Sequence, residues 1–160
     1  MFIGDTEIRA AYIGNEGLVK MYLGDEELEV CAKDVDEFLD NAQFTCGIAY
    51  WGHAPIYPAE ISDNGDGTVH LKTLSEWGSL VPGNDSFPNG SWIIEVEILN
   101  QVGNGKISFR KPNGQWVSTP TIGDGVHTAT YTGEIREIHV GADSDPNYEA
   151  DYNYISLKHP

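Results

Sequence analysis

Residues 91–99 read Ser-Trp-Ile-Ile-Glu-Val-Glu-Ile-Leu, and this stretch decides the fold class. Trp92 and every second residue after it as far as Ile98 are apolar, whereas Glu95 and Glu97 occupy positions between them. Because successive side chains of a β-strand point to opposite faces, the alternation predicts a long strand with one buried and one half-solvated face. Such a strand is typical of an antiparallel sheet that covers a core.

Turn residues recur on both sides of this strand. Gly, Pro, Asn and Asp interrupt residues 41–160 roughly every 8 to 12 positions, as in a sandwich or barrel. The 18 Gly, 8 Pro, 8 Tyr and 5 Phe, against 2 Met, suit short strands and frequent turns. We therefore predict an all-β chain with two antiparallel sheets in residues 41–160. The further predicted strands are Thr45–Tyr50, Ala59–Ser62, Thr68–Thr73, Lys106–Arg110, Gln115–Ser118, Val126–Tyr131, Ile135–Ala142 and Asp151–His159.

The N-terminus is a tandem repeat. From Phe2 the chain falls into units of ten residues, FIGDTEIRAA, YIGNEGLVKM and YLGDEELEVC, which share an aromatic residue, Ile or Leu, Gly, and Asp or Asn. Gly followed by Asp or Asn favours a tight turn because these residues tolerate positive φ. The segments between the turns, Glu7–Ile13 and Gly17–Leu23, then form an antiparallel β-meander with Phe2-Ile3 and Glu27–Cys31. The alternative is that this is the first sheet of a larger sandwich.

This repeat resembles the Tyr-Ile/Leu-Gly-Asp β-hairpin repeats of tailed-phage virion proteins, where short meanders act as attachment or trimerisation segments. The resemblance implies a virion structural protein, either a capsid decoration or a fibre or tail appendage, made in the host cytoplasm and displayed on the virion surface. Its partners would be other virion proteins and copies of itself, with a trimer favoured. The candidate residues for attachment or oligomerisation are Phe2, Tyr12, Met21 and Tyr22.

Residues 41–160 carry a second resemblance. The pattern Asn-x-x-Phe…Gly…Trp over residues 41–51 is similar to the opening of jelly-roll carbohydrate-binding modules appended to xylanases and glucanases. The turn at 63–68, the strand at 91–98 and the closing segment 152–157 fit the same family. The resemblance implies a jelly-roll β-sandwich that contacts host-surface glycans or polysaccharide. The family's last strand usually carries Asp-Asn where this chain has Asn153-Tyr154, which argues against a structural cation there.

The two resemblances define the expected domains. Residues 1–31 form the β-meander and residues 41–160 the jelly roll. Between them Asp34 suits a helix N-cap, while Val35, Phe38 and Leu39 have helical spacing, so residues 32–40 are predicted to be a short linker helix. The favoured function is a non-enzymatic virion protein with a glycan-contacting jelly roll. The alternative is a stand-alone carbohydrate-binding module of a polysaccharide-processing system.

Trp77 and Trp116 are the candidate glycan-binding residues. The apolar C–H face of a pyranose matches a flat aromatic ring, so an exposed Trp can serve as a stacking platform. Both residues lie in stretches rich in Gly and polar side chains, which favours exposure. Trp51 and Trp92 lie on core patterns instead. For any single Trp, packing in the core is the alternative.

Metal and catalytic chemistry are not predicted. Asp63 and Asp66 are calcium candidates, but their segment departs from the EF-hand spacing, and a plain hairpin turn is the favoured interpretation. The histidines show no metal-ligand spacing. Glu95 and Glu97 lie two apart on one strand and are the candidates for the acid and base of a glycoside hydrolase; the alternative is a solvated strand face.

Charge and composition exclude some partners. A net charge of -16 repels nucleic-acid phosphates. No apolar run is long enough to span a membrane, and the N-terminus lacks a signal-peptide pattern. The acidic surface fits a solvated face, a saline habitat or a basic docking partner. Cys31 and Cys46 are expected to be reduced and buried.

Overall fold

The computed structural model describes the backbone of residues 2–3, 6–13, 16–23 and 26–28, and all atoms of residues 37–39, 42–44, 46–83 and 86–160. These residues form strands and loops, without a helix. Accordingly, this part of the chain offers no apolar helix that could cross a membrane. The strands are β1 (Phe2–Ile3), β2 (Thr6–Ile13), β3 (Glu16–Leu23), β4 (Glu26–Leu28), β5 (Trp51–His53), β6 (Ala59–Asp63), β7 (Val69–Thr73), β8 (Ser79–Pro82), β9 (Phe87–Val102), β10 (Gly105–Arg110), β11 (Trp116–Ser118), β12 (Gly125–Ile135), β13 (Glu137–Ala142) and β14 (Glu149–Lys158).

The N-terminal repeat forms a four-stranded antiparallel sheet in the order β1-β2-β3-β4, which confirms the predicted meander. The backbone register places Met21 opposite Ala10 and Tyr22 opposite Arg9. The Gly-Asp and Gly-Asn pairs that were predicted to form the turns lie outside the described residues. The attachment roles of Phe2, Tyr12, Met21 and Tyr22 stay predictions.

Two five-stranded antiparallel sheets form the jelly-roll sandwich, as predicted. The front sheet has the order β11-β10-β13-β8-β5 and the back sheet the order β12-β9-β14-β7-β6. Strand β9 lies between β12 and β14, and its predicted apolar face, Trp92, Ile94, Val96 and Ile98, is buried. The alternating sequence thus places one face of the longest strand in the core between the sheets.

Trp92 is the largest fully buried side chain of this core. It is 1% exposed, and its indole stacks on His159 at 4.3 Å and meets the edges of Phe38 and Phe87 at 4.9 and 5.8 Å between ring centroids. Its Nε1–H donates to Gly133 O at 3.0 Å, so the polar atom of the ring is satisfied. The structural role predicted for Trp92 is confirmed, and Trp51 is buried as well.

Two strand predictions differ from the structure. The strand predicted at Thr45–Tyr50 is wrong, because residues 46–50 form turns and β5 begins only at Trp51. Tyr50 has a φ of 68°, a left-handed conformation that an extended strand does not contain. Strand β8, which the sequence pattern does not predict, lies between β13 and β5.

The predicted linker helix falls mainly on residues 32–36 and 40, which lie outside the described residues. Residues 37–39 are not helical. Phe38 N donates to Leu157 O at 2.9 Å, and the buried Glu37 carboxylate accepts the N–H groups of Leu39 and Leu157 at 2.9 and 2.7 Å. These bonds attach residues 37–39 to the end of β14.

Cys46 departs from the sequence prediction. It is half-buried and disulfide-bonded, so the expectation of a reduced, buried thiol is wrong at this position. Disulfides persist in oxidising environments. The other cysteine of the chain, Cys31, lies outside the described residues.

Candidate functional site

The outer face of the front sheet carries most of the candidate site. On β10, Ile107 and Phe109 are buried in the core, so Lys106, Ser108 and Arg110 lie on the opposite, outer face. On β13 the same alternation buries Ile138 and Val140 and leaves the residues between them outside. The outward residues of β13 are Glu137, His139 and Gly141.

Strand register joins these residues into a continuous polar floor. One cross-strand row runs from β11 through β10 to β13, and the next runs from β10 through β13 to β8. Directly opposite residues on one face have neighbouring side chains, so each row forms a strip across the sheet. The rows are Ser118, Ser108 and His139, then Lys106, Gly141 and Ser79.

Trp77 and Trp116, the two predicted glycan-binding residues, line a single open cleft of about 260 Å³ above this floor. Tyr57 is the third aromatic residue of its lining. Trp116 is 44% exposed and Trp77 is half-buried, so neither indole is a core residue. The fold thus brings two aromatic rings from distant parts of the chain to one polar surface.

Trp77 lies in the loop between β7 and β8 and is held by a cation. Lys106 Nζ lies 4.0 Å from the centroid of its ring, within cation–π range. The same ammonium donates to Asp143 Oδ1 at 2.9 Å, and Asp143 Oδ2 accepts the Thr121 hydroxyl at 3.1 Å. The hydrogen bond from Lys106 is the main reason that the pKa of Asp143 is lowered. These charges fix the ammonium, and through it the ring.

Trp116 lies on the short edge strand β11 and is supported from the floor. Its ring meets the His139 imidazole edge-on, with centroids 4.7 Å apart. The Arg110 guanidinium lies 5.9 Å from its centroid and donates to Glu137 Oε1 at 2.6 Å. A half-exposed ring on a three-residue edge strand is thereby held by Arg110 of the adjacent strand β10 and by His139 of β13, one strand further on.

His139 is the most highly connected side chain of the floor. Its Nδ1 lies 3.0 Å from Ser79 Oγ and its Nε2 lies 3.4 Å from Glu137 Oε2, while 12% of its side chain is exposed. Burial is the largest influence on its pKa and lowers it; Arg110 lowers it further, and Glu137 acts in the opposite direction. The net pKa of His139 is lowered, so the imidazole is neutral at neutral pH.

The contacts Ser79–His139–Glu137 do not form a hydrolytic triad. In such a triad the serine contacts Nε2 and the acid contacts Nδ1, whereas here Ser79 contacts Nδ1 and Glu137 faces Nε2. Ser79 is also only 3% exposed, which suits a hydrogen-bonding floor better than a nucleophile. The arrangement therefore offers hydrogen-bond donors and acceptors beneath two aromatic rings.

Gly141 lets β13 approach β8 closely enough to build this floor. A Cβ atom at Gly141 would lie 2.6 Å from Ser79 Cα, a distance that real Cβ contacts essentially never show. Any larger residue would displace the β8 backbone and Ser79 with it. Glycine at this position thus allows the close approach of β13 to Ser79.

A second cavity of about 290 Å³ adjoins the cleft on the same sheet face. His53 and Arg136 contribute to its lining, together with Glu137. His139 lines both cavities, so they meet at its imidazole.

Glu95 and Glu97 lie elsewhere, on the outer face of the back sheet. Glu95 Oε1 accepts the Tyr154 hydroxyl at 2.9 Å, and Glu97 Oε2 accepts the Asn153 amide at 2.7 Å. Burial and the bond to Glu95 raise the pKa of Tyr154 to about 12. Neither carboxylate lines the cleft, so the structure places the hydrolase candidates away from the aromatic rings.

Asp63 and Asp66 serve the hairpin between β6 and β7. Asp63 Oδ1 accepts Gly65 N at 2.7 Å, and Asp66 Oδ1 accepts the backbone and hydroxyl of Thr68 at 3.0 and 2.6 Å. These are bonds typical of Asx turns. Within the described ranges, no group of three or more acidic, His or Cys side chains is arranged to hold a metal ion.

Sequence reasoning missed the floor of the cleft, above all His139, Ser79 and Lys106. The signal was present in part, because Lys106, Ser108 and Arg110 alternate with apolar residues, as His139 does with Ile138. That alternation predicts an outward face for each strand. The pairing of β10 with β13 and of β13 with β8 is a long-range property that the local pattern does not contain.

Comparisons with known proteins give a likeness to solved structures alone. No family model and no curated protein matches the sequence. A mutant of a family 29 carbohydrate-binding module, from a study of its ligand recognition, superposes with a TM-score of 0.45 at 16% identity, over 69% of this chain and 76% of that chain. Another mutant of a family 29 module gives a TM-score of 0.44 at 18% identity over 69% and 81% of the two chains. A further family 29 structure gives 0.43 at 16% identity over 69% and 80%.

Proposed function

We propose that the front-sheet cleft binds a glycan and that the chain works as a non-catalytic carbohydrate-binding module. The observation that carries this proposal is the placement of Trp77 and Trp116 over one hydrogen-bonding floor. A sugar ring has an apolar C–H face and a rim of hydroxyl groups. The indoles suit the first, and Ser108, Ser118 and His139 suit the second.

The rigidity of the cleft supports the same proposal. Lys106 and Arg110 are tied by ion pairs to Asp143 and Glu137, so the cations that contact the two indoles are fixed before a ligand arrives. A pre-organised site loses less conformational entropy on binding than a mobile one. Binding, not bond cleavage, is the chemistry that this arrangement supplies.

Isothermal titration of the chain with soluble oligosaccharides tests the proposal. Cellulohexaose and mannohexaose, which are named with two structures of family 29 modules, are suitable first probes, followed by a broad glycan array. We expect saturable binding, with the oligosaccharide recovered intact by mass spectrometry. Absence of binding across the array would overturn the proposal, and shortened products would show an enzyme.

Glu95→Gln and Glu97→Gln are expected to leave oligosaccharide affinity unchanged. Both carboxylates lie on the back sheet, where they accept bonds from Tyr154 and Asn153, and neither lines the cleft. Titration calorimetry of both variants beside the wild-type chain checks this. A loss of affinity comparable to that of a cleft variant would move the binding site to the back sheet.

A second proposal concerns the N-terminal sheet and follows the resemblance of its repeat to virion attachment segments. It is supported by the four-stranded meander β1–β4, since a sheet of four short strands gains stability by packing on a partner. We propose that it mediates attachment to other virion proteins and self-association, with a trimer favoured.

Light scattering after size exclusion tests this second proposal. The full chain is expected to have the mass of a trimer, and a chain that lacks residues 1–31 the mass of a monomer, because the truncation removes the associating sheet. A monomeric full chain, or a truncated chain that assembles normally, would contradict the proposal. Glycan binding by the cleft is measured separately on the same samples.

A further inference from the structure

We propose that His139 is the positioning residue of the cleft and that it holds the binding-competent arrangement while its imidazole is neutral, so that glycan affinity falls on acidification. This inference rests on the proposed glycan binding and names its regulation.

The position of His139 makes it common to both cavities. Strand β13 is the middle strand of the front sheet, and His139 lies on its outer face between the cleft and the second cavity. Its ring contacts Ser79 on one side and Glu137 on the other, and it supports Trp116 from below. A change in the protonation of the imidazole therefore affects both Ser79 in the floor and the Trp116 ring.

The contacts fix the direction of the hydrogen bonds. An ionised carboxylate accepts hydrogen bonds only, so Nε2, which faces Glu137, carries the proton of the neutral ring. Nδ1 then accepts the hydroxyl proton of Ser79 at 3.0 Å, which leaves both lone pairs of Ser79 Oγ free to accept hydrogen bonds.

Protonation reverses this arrangement. With a proton on Nδ1, His139 donates to Ser79 Oγ, and the Ser79 hydroxyl must turn its own proton elsewhere. Ser79 then presents one acceptor site and one donor to the cleft, where it presented two acceptor sites. A ligand hydroxyl that was bound at the lone pair now taken by His139 loses its acceptor, which costs free energy in a desolvated site.

The charges that face His139 from the surrounding elements do not fully stabilise an imidazolium. Glu137 is the nearest anion, but its other carboxylate oxygen already binds Arg110 at 2.6 Å. The charged or titratable groups that line the two cavities with His139 are Tyr57 before β6, Lys106 on β10, Glu137 on β13, His53 on β5 and Arg136 before β13, and Arg110 on β10 pairs with Glu137. Three of these are permanent cations.

A bound glycan would add to the cost of the charged ring, because it covers the cleft that His139 lines and excludes water from it. Protonation of His139 and glycan binding in the cleft therefore oppose each other. Burial is the main reason that the pKa of His139 is lowered, so the loss of affinity should begin below the ordinary histidine pKa. Affinity should be constant at and above neutral pH and fall below that pKa, by at most about tenfold per pH unit for one proton.

Titration calorimetry with cellulohexaose and mannohexaose as probes tests the inference from about pH 8 down to pH values below the imidazole pKa, which an NMR titration of His139 measures on the same chain. The wild-type chain should lose affinity at the acid end. His139→Gln keeps a donor and an acceptor but does not titrate, so its affinity should be independent of pH over the same range. His127→Gln, on the back sheet, is the matched control and should follow the wild-type profile.

The outcomes separate the two proposals. Glycan binding with a flat wild-type profile, or an unchanged slope in His139→Gln, would overturn the inference and leave the proposed function standing. If no glycan binds at any pH, the proposed function fails and the inference with it. An NMR titration of the imidazole provides a readout without ligand, and a pKa of His139 at or above the ordinary histidine value would also overturn the inference.

Discussion

Trp92→Ala is expected to lower the free energy of unfolding by about 3 to 5 kcal/mol, the range for removing a large aromatic side chain from a packed core. Trp92 is 1% exposed, and Phe38, Phe87 and His159 pack against its ring. Its removal leaves a cavity between the sheets and frees the carbonyl of Gly133. Since small domains are stable by only about 5 to 15 kcal/mol, denaturant unfolding should show the variant to be close to its stability limit.

Trp116→Ala is the matched control for this measurement. The same side chain is removed, but Trp116 is 44% exposed and lies on an edge strand of the front sheet. The free energy of unfolding should fall by less than about 1 kcal/mol, since much of the ring is already in water. Equal losses for the two variants would contradict the division into core and cleft tryptophans.

Trp77→Ala and Trp116→Ala are each expected to weaken glycan binding by about 30-fold or more, which corresponds to the roughly 2 kcal/mol typical of an aromatic hot-spot residue. Both indoles line the same cleft, so each would supply one stacking surface to a bound sugar. Titration calorimetry with the oligosaccharide that binds the wild-type chain measures the loss. We therefore expect these two variants to change glycan affinity, whereas Trp92→Ala changes the free energy of unfolding.

Conservative variants show whether affinity is lost because an aromatic ring is missing or because the cleft has collapsed. Trp77→Phe and Trp116→Phe keep an aromatic ring at each position and should retain part of the affinity, because a smaller ring covers less of a sugar face. Glu97→Gln on the back sheet should bind as the wild-type chain does. Full affinity in the double variant Trp77→Ala/Trp116→Ala would show that the two indoles do not form the binding surface.

Local pattern was enough for much of the fold. The alternation at Trp92–Ile98 predicted a strand whose apolar face is in fact buried, and the ten-residue repeat predicted the sheet β1–β4. Strand β8 was missed because it is four residues long, ends in Pro82 and is flanked by glycines. Proline removes a backbone donor and normally argues against a strand within a sheet.

The candidate site was predictable only in its parts. Trp77 and Trp116 were identified because glycine-rich polar stretches favour exposed rings, and both do line the cleft. Their meeting depends on β10, β11 and β13 being neighbours, and a strand pattern of period two specifies faces but not partners. His139 gained its importance only from that pairing, which places it opposite Ser108 and beside Trp116.

Glycan binding in the cleft can be observed directly through the indole N–H signals of the four tryptophans in a two-dimensional ¹H–¹⁵N NMR spectrum during titration with cellulohexaose or mannohexaose. Trp92 Nε1–H donates to Gly133 O inside the core and serves as an internal reference. If the cleft binds the glycan, the signals of Trp77 and Trp116 shift with ligand concentration while those of Trp51 and Trp92 stay in place. If the glycan binds and the signals of Trp77 and Trp116 do not move, glycan binding in this cleft is contradicted.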